Sequence, residues 1–378
     1  MSTVDTDVVI IGGGAMGSAT AWQLASRGTS VTLLERFSPG HVMGASHGAS
    51  RNFNVSYADP VHVALLVESL RLWRELEDET DTSLLAQVGI VNHGDHPDID
   101  GVHDALAAVG IPSEFLPAEE AAIRWPGLRF STRVLHTPTA GRLNADASVL
   151  ALQAAARAHG AEVRHDTRVL GIEVLGDDRV LVRTEAGTIT ARRAVVTAGA
   201  WTRKLLGDVI DLPSLVVTQE QPAHFAVLDT SFEWPGFNHR PGPDDSWWYS
   251  GVYGMHTPGE GIKAGWHGVG PVVDPDARDF RSEPVQLAAL RRYAREWLPG
   301  ADADAAVEIS CTYTTTPDST FILDSVGPIT IGAGFSGHGF KFTPSIGRVL
   351  ADLTIGRGAP DVFSLRRFAA GPHWRRMP

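Results

Sequence analysis

The segment from Asp7 to Arg36 constrains the fold more than any other part of the chain. Four apolar residues, Val8, Val9, Ile10 and Ile11, run straight into Gly12-Gly13-Gly14-Ala15-Met16-Gly17. Ala19 to Ser26 then has helical composition, Gly28 closes it, and a second apolar run, Val31 to Leu34, finishes at Glu35. That order is a βαβ unit. In Gly12-x-Gly14-x-x-Gly17 the first glycine permits a tight turn, the second lets the backbone reach a pyrophosphate, and the third allows helix and strand to pack closely. The helix start then presents free N–H groups to phosphate charge. Glu35, about 20 residues on, stands where a carboxylate accepts hydrogen bonds from ribose hydroxyls and repels a 2′-phosphate. The unit predicts an FAD or NAD site in preference to NADP.

At 378 residues the chain exceeds the roughly 250–300 residues at which single cores stop growing, so two joined domains are expected. A strong helix is predicted from Asp59-Pro60, an N-cap followed by proline, with Leu65, Leu66, Leu70, Trp73 and Leu76 at helical spacing. A polar loop over Asn92 to Gly101 and a short helix over Asp104 to Val109 follow, and Trp125-Pro126-Gly127 marks a break. The next helix, Ala147 to His159, ends at Gly160 and feeds strands at Val163, Val169 to Val174, Val180 to Thr184 and Ala194 to Thr197, which return to the first sheet. Residues 215 to 275, rich in Trp, Tyr, Gly and Pro, predict an antiparallel, aromatic-lined sheet. The tail Pro372 to Arg376 carries no recognisable function.

A formal charge of −12 argues against nucleic acid and anionic membrane surfaces as partners, since both favour clustered Lys and Arg. No apolar run reaches the roughly 20 residues that span a bilayer. The start of the chain lacks a basic, then apolar, leader pattern, so a cytoplasmic location is expected. A single cysteine, Cys311, excludes an intrachain disulfide and any zinc site built on several thiolates. Gly44-Ala45-Ser46-His47-Gly48 matches the pattern of a hydrolase nucleophile elbow, but Ser38-Pro39-Gly40 stands where the preceding strand is needed. His93, Asp95, His96, Asp98, Asp100 and His103 read as a solvated turn around Gly94, Pro97 and Gly101, and no metal is predicted.

Four further segments accompany the βαβ unit: Ser46-His47-Gly48-Ala49-Ser50-Arg51, Gly261 to His267, Cys311-Thr312-Tyr313-Thr314, and Gly334 to Phe342. Together the set resembles the monomeric sarcosine oxidase and N-methyltryptophan oxidase family, within the D-amino-acid-oxidase-like fold, over nearly the whole chain. The resemblance implies a mixed α/β (α+β) architecture. A Rossmann-like FAD-binding domain (1–83, 146–214 and 306–378) would join an antiparallel-sheet substrate domain (84–145 and 215–305), both discontinuous in sequence. It implies a monomer whose partners are a small-molecule amine and oxygen. The reaction would oxidise a secondary or tertiary amine, bound uncharged, to an imine and release hydrogen peroxide. The same fold also serves flavin dehydrogenases and flavin subunits that hand electrons to a carrier.

The resemblance carries a thioether to the flavin 8α carbon onto Cys311, which would fix the cofactor and raise its potential. It places Lys263 near flavin N5, where a fixed cation favours oxygen reduction. Arg51 and His47 fall on the flavin's other face, with Ser50 as a hydrogen-bond partner and Ser46 among the cofactor-binding residues. Gly12, Gly14, Ala15, Met16, Gly17, Glu35 and Arg36 form the dinucleotide end, and Val169, Ala198, Gly199 and Trp201 line the cofactor. Gly337, His338, Gly339, Phe340 and Lys341 bring N–H groups and a helix start to the pyrimidine edge. Lys341 would also grip a substrate carboxylate, while Tyr253, His267 and Tyr313 line the substrate cavity.

One position departs from the pattern. Family members that oxidise sarcosine carry a second arginine three residues after the Arg51 equivalent, and here that residue is Asn54. Losing a charged donor removes on the order of 1.5–3 kcal/mol of carboxylate recognition. Trp247-Trp248-Tyr249, with Phe237 and Trp266, predicts a roomier aromatic cavity suited to a larger amine.

Overall fold

A computed structural model describes residues 4–369 of the chain; the tail Pro372 to Arg376 lies outside them. The strand Thr6–Ile11 lies in the middle of an eight-stranded sheet, parallel to Val31–Leu34 on one side and to the end of Gly187–Val196 on the other. Each of Val8 to Ile11 is buried: Val8 and Ile10 pack into a core with Ala19, Ala21 and Trp22, and Val9 and Ile11 into a second core with Leu206, Ile210 and Leu212 on the other face. Gly187–Val196 works twice. Its first half pairs antiparallel with Arg179–Thr184, and its second half runs parallel to Ile329–Ala333. The sheet is therefore drawn from three separate stretches of chain.

The helix Ala15–Ala25 is buried along its whole length between Ala145–Ala158 and Thr343–Thr354. Asn144, whose side chain accepts from the Ala147 N–H, caps Ala145–Ala158, which begins two residues before the predicted start. The predicted Asp59 cap is present: its carboxylate accepts from the His62 N–H at 2.9 Å, and the helix runs Pro60–Thr80.

A second eight-stranded sheet runs Ala301–Glu308, Ala223–Val227, Gly261–Trp266, Val252–Thr257, Gly236–Arg240, Ile90–Gly94, Val134–Thr137, Glu114–Leu116. It is antiparallel except where Gly236–Arg240 lies parallel to Ile90–Gly94. Side chains alternate across it. Ile262, Ala264 and Trp266 enter the core formed with helix Pro284–Trp297, while Lys263 points to the opposite face and onto a cavity.

That alternation corrects two expectations. Phe237, Trp248 and Trp266 are core residues on the helix side, Trp247 packs on Trp248 and Trp266 beneath Arg292, and none lines the cavity. The roomy aromatic cavity is not built from them. The predicted polar loop over 92–101 contains the end of strand Ile90–Gly94 and the start of helix Ile99–Ala108, which Asp98 caps by accepting from the Gly101 N–H. The helix thus begins five residues before the expected one. The His and Asp residues there do not converge: His93 is buried and stacked on His239, Asp100 pairs with Arg133, and His103 meets Ser113.

Candidate functional site

The two sheets enclose one continuous cavity of about 830 Å³ that runs from the glycine turn to the strand carrying Lys263. At the turn, Gly12 has φ +103°. A Cβ on Gly17 would lie 1.9 Å from the Gly12 carbonyl oxygen and 2.6 Å from Thr197 Oγ1, so only glycine lets the helix begin this close to the strands. Gly17 thus shapes the turn from behind, off the cavity wall, while Gly12, Gly14, Ala15 and Met16 face the cavity.

Glu35 has a structural role that the sequence did not reveal. Its Oε2 accepts from the Gly13 N–H at 2.7 Å and its Oε1 from the Phe37 N–H at 2.9 Å, so the carboxylate ties the turn to the second strand. Burial alone would raise its pKa, but His41 and these N–H groups outweigh burial and hold the acid ionised below the usual range. Ser46 sits in an irregular segment, with its Oγ accepting from the Ala15 N–H at 3.0 Å, and its own O–H remains to donate into the cavity. A nucleophile elbow is therefore absent at Ser46. Arg36, paired with Asp276 and lying over Trp201, borders the same end together with Val169, Ala198 and Gly199. A free serine proton, a helix start and an ordered acid on one wall suit a ligand carrying phosphates and ribose. The residues fit a flavin dinucleotide.

The far end assembles residues distant in sequence. Arg51 donates from Nη1 to the Ser50 carbonyl at 2.8 Å and from Nη2 to Cys311 Sγ at 3.8 Å, and Lys263 Nζ donates to the same Ser50 carbonyl at 3.4 Å. Burial, then the Arg51 charge, pushes Lys263 down to about 7. Ser50 Oγ bonds Thr257 Oγ1 at 2.6 Å. His47, expected on this wall, lies off it: its Nε2 is buried without a hydrogen-bond partner among the described residues, and burial followed by the charges of Arg51 and Lys263 pushes it down to about 3. It is a neutral imidazole behind the loop.

The glycine-rich run ends in a 3-10 turn, Phe340–Phe342, that leads directly into helix Thr343–Thr354. Gly337 has φ +78°, and a Cβ there would stand 2.1 Å from the Tyr313 ring, so the turn and the tyrosine can pack only around glycine. Gly337, His338, Gly339 and Phe340 all line the cavity. Lys341 Nζ donates to Tyr57 Oη at 3.0 Å and to the His338 carbonyl at 2.9 Å, and burial lowers it to about 7. Tyr313 Oη meets His267 Nδ1 at 3.3 Å beside Tyr253. Burial, then Lys341, then Arg240, takes His267 down to about 4.

Several cavity residues escaped the sequence reading. Tyr57, which receives Lys341, has no motif of its own, and Asn92 joins Asn238 at 3.0 Å and Ser56 at 3.0 Å across three segments. Arg240 lines the cavity from the end of Gly236–Arg240. The single readable signal was alternation along the strands, which sets Asn238 and Arg240 on one side opposite Phe237.

A glycine turn for phosphates, joined by one cavity to a cationic, tyrosine-walled pocket, defines a flavin-type redox enzyme. Residues 7–353 match the family described as FAD dependent oxidoreductase. The chain is 32% identical over 378 residues to monomeric sarcosine oxidase of Bacillus sp. (strain NS-129), covering 96% of this chain and 97% of the relative. It is 28% identical to N-methyl-L-tryptophan oxidase of Yersinia pestis (strain Pestoides F), covering 97% and 100%. Among solved structures, NikD, an unusual amino acid oxidase essential for nikkomycin biosynthesis, superposes with a TM-score of 0.84 at 28% identity, covering 96% of this chain and 98% of NikD. The chain belongs to the FAD-dependent oxidoreductase family. No helix among the described residues is long and apolar enough to cross a membrane.

Proposed function

We propose that this protein is a monomeric oxidase of secondary or tertiary amines, such as N-methyl or cyclic amino acids or a larger natural-product amine, with FAD attached through Cys311. The observation that carries the reading is the junction at Ser50. There Lys263 and Arg51 share one carbonyl, and the Arg51 guanidinium reaches the Cys311 thiol. Cys311 lines the same cavity, where its sulfur can meet a ring bound there. The names of the relatives, oxidases of sarcosine and of N-methyl-L-tryptophan, support the substrate class.

FAD, once bound, supplies the two-electron acceptor and the later reaction with oxygen. The rest is the work of the chain. Lys341, anchored by Tyr57 and the His338 carbonyl, holds the substrate carboxylate. Lys263, Arg51 and Lys341 together disfavour a protonated amine, so the substrate enters as the free base. Tyr313, Tyr253 and His267 form the wall that keeps water from the reacting carbon. Lys263 stabilises negative charge on oxygen as it is reduced.

Acid-precipitated protein should keep its yellow colour in the pellet, with the flavin mass on the Cys311 peptide, and Cys311→Ala should release it to the supernatant. Peroxide should form in air with an N-methyl or cyclic amino acid. Flavin in the wild-type supernatant would sink the covalent attachment, and reduction of an artificial acceptor without peroxide would favour a dehydrogenase.

A further inference from the structure

The substrate end of the cavity holds a cation that the reading above leaves without work. The Arg240 side chain lines the cavity and makes no hydrogen bond or ion pair among the described residues. The other cavity cations are engaged: Arg36 with Asp276, Lys204 with Asp274 and Asp276, Arg168 with Glu185, and Lys263 and Lys341 with carbonyl or hydroxyl oxygens. Asp98 and His96 border the same lobe as Arg240. The Asp98 carboxylate is turned to the Gly101 N–H, and His96 Nδ1 to the Asp98 N–H.

The backbone that presents Arg240 is fixed. Its register is set against Gly94, its carbonyl accepts from the Asp95 N–H at 3.3 Å, and a Cβ on Gly94 would lie 2.0 Å from that carbonyl oxygen. Gly251, on the far side, would place a Cβ 3.4 Å from Arg240 Cδ. A free guanidinium on a rigid strand end is arranged for a planar anion, which it meets with two parallel N–H bonds. The setting is unusual for this chain. With a formal charge of −12 overall, it still lines this cavity with Arg240, Lys341, Lys263 and Arg51, and a cleft of one sign concentrates ligands of the other.

We propose that the substrate carries a second acidic group, which Arg240 binds at the outer part of the lobe while Lys341 holds the first carboxylate at its floor. The amine substrate is then an N-alkyl or cyclic amino acid with an acidic side chain. This deepens the amine-oxidase reading and rests on it for the amine alone; the two-anion site stands on Arg240 and Lys341. The imidazole of His267 lies in the field of both cations, which sets both in the same lobe. Asn54, which also lines the cavity and accepts from the Ser56 N–H at 3.0 Å, brings no charge, so Lys341 is the inner anchor.

The test needs no turnover. Binding of butanoate, pentanoate, succinate and glutarate to the purified holoprotein is followed by calorimetry and by the flavin absorbance change. In the wild type at least one dicarboxylate should bind ten times tighter or more than the monocarboxylate of the same length. Arg240→Met should erase that advantage and change monocarboxylate affinity less than threefold. The residue is exposed and unpaired, so the variant should melt with the wild type. Equal affinities in the wild type, or an equal loss of both ligand types in Arg240→Met, would overturn the proposal. The latter would mean that Arg240 shares the single carboxylate with Lys341. A dicarboxylate preference without any amine turnover would leave the two-anion site standing and refute the amine-oxidase reading.

Discussion

Lys341 gives a prediction whose size follows from burial. The residue is 7% exposed, and burial lowers its pKa from 10.5 to about 7. At about 1.4 kcal/mol per pH unit, the distance between 10.5 and about 7 corresponds to a cost of roughly 4–5 kcal/mol for holding the charged form in the fold. Between pH 7 and pH 10.5 the unfolded chain binds the proton and the folded one does not, so stability rises with pH across that window. Below pH 7 both states are protonated and the full cost is present. Lys341→Met removes it, leaving the His338 carbonyl without its donor at about 1–2 kcal/mol. The variant should therefore exceed the wild type by about 3 kcal/mol at pH 6, and the difference should shrink towards zero, or reverse slightly, by pH 10. Denaturant unfolding of the holoprotein at intervals from pH 6 to pH 10 measures it. Lys263, lowered in the same way, stays in both proteins and cancels. A difference that does not vary with pH, or a variant less stable at pH 6, would refute the burial argument.

Three further outcomes follow from the same site. Gly17→Ala sets a Cβ 1.9 Å from the Gly12 oxygen and should cost about 3 kcal/mol or more, seen as a lower melting temperature and a fall in the ratio of flavin to protein absorbance. Lys263→Met should slow reoxidation of the reduced protein by oxygen on the order of 10²–10³-fold. In stopped-flow records the anaerobic reduction by substrate should change far less, and equal losses in both would remove Lys263 from the oxygen step. Asn54→Arg adds a charged donor and should raise kcat/KM for sarcosine by roughly tenfold to a hundredfold, corresponding to about 1.5–3 kcal/mol. No gain would mean that the arginine cannot reach the carboxylate held by Lys341.

Much of the dinucleotide end was legible because its causes are local. The strand, the three glycines, the helix and Glu35 lie within thirty-odd residues, and their geometry follows from sterics between near neighbours. The Asp59 cap was legible for the same reason, since the side chain bonds an N–H three residues away. Asp98 misled because the same capping chemistry reads equally well as a solvated turn, and only the packing of Ile99, Val102 and Leu106 into the core decides for a helix.

The sequence by itself determined the kind of cofactor turn and the order of helices and strands around it, because those depend on contacts a few residues apart. The tertiary structure alone decided which side of each strand faces the cavity. Alternation makes Ile262 and Lys263 point opposite ways, but which way is inward depends on where helix Pro284–Trp297 packs. It therefore sent the tryptophans to the core, set Arg51 beside Cys311 across 260 positions, and left Arg240 facing the cavity. A pairing over that distance is chosen by the whole packing of two sheets, which no short stretch of sequence encodes.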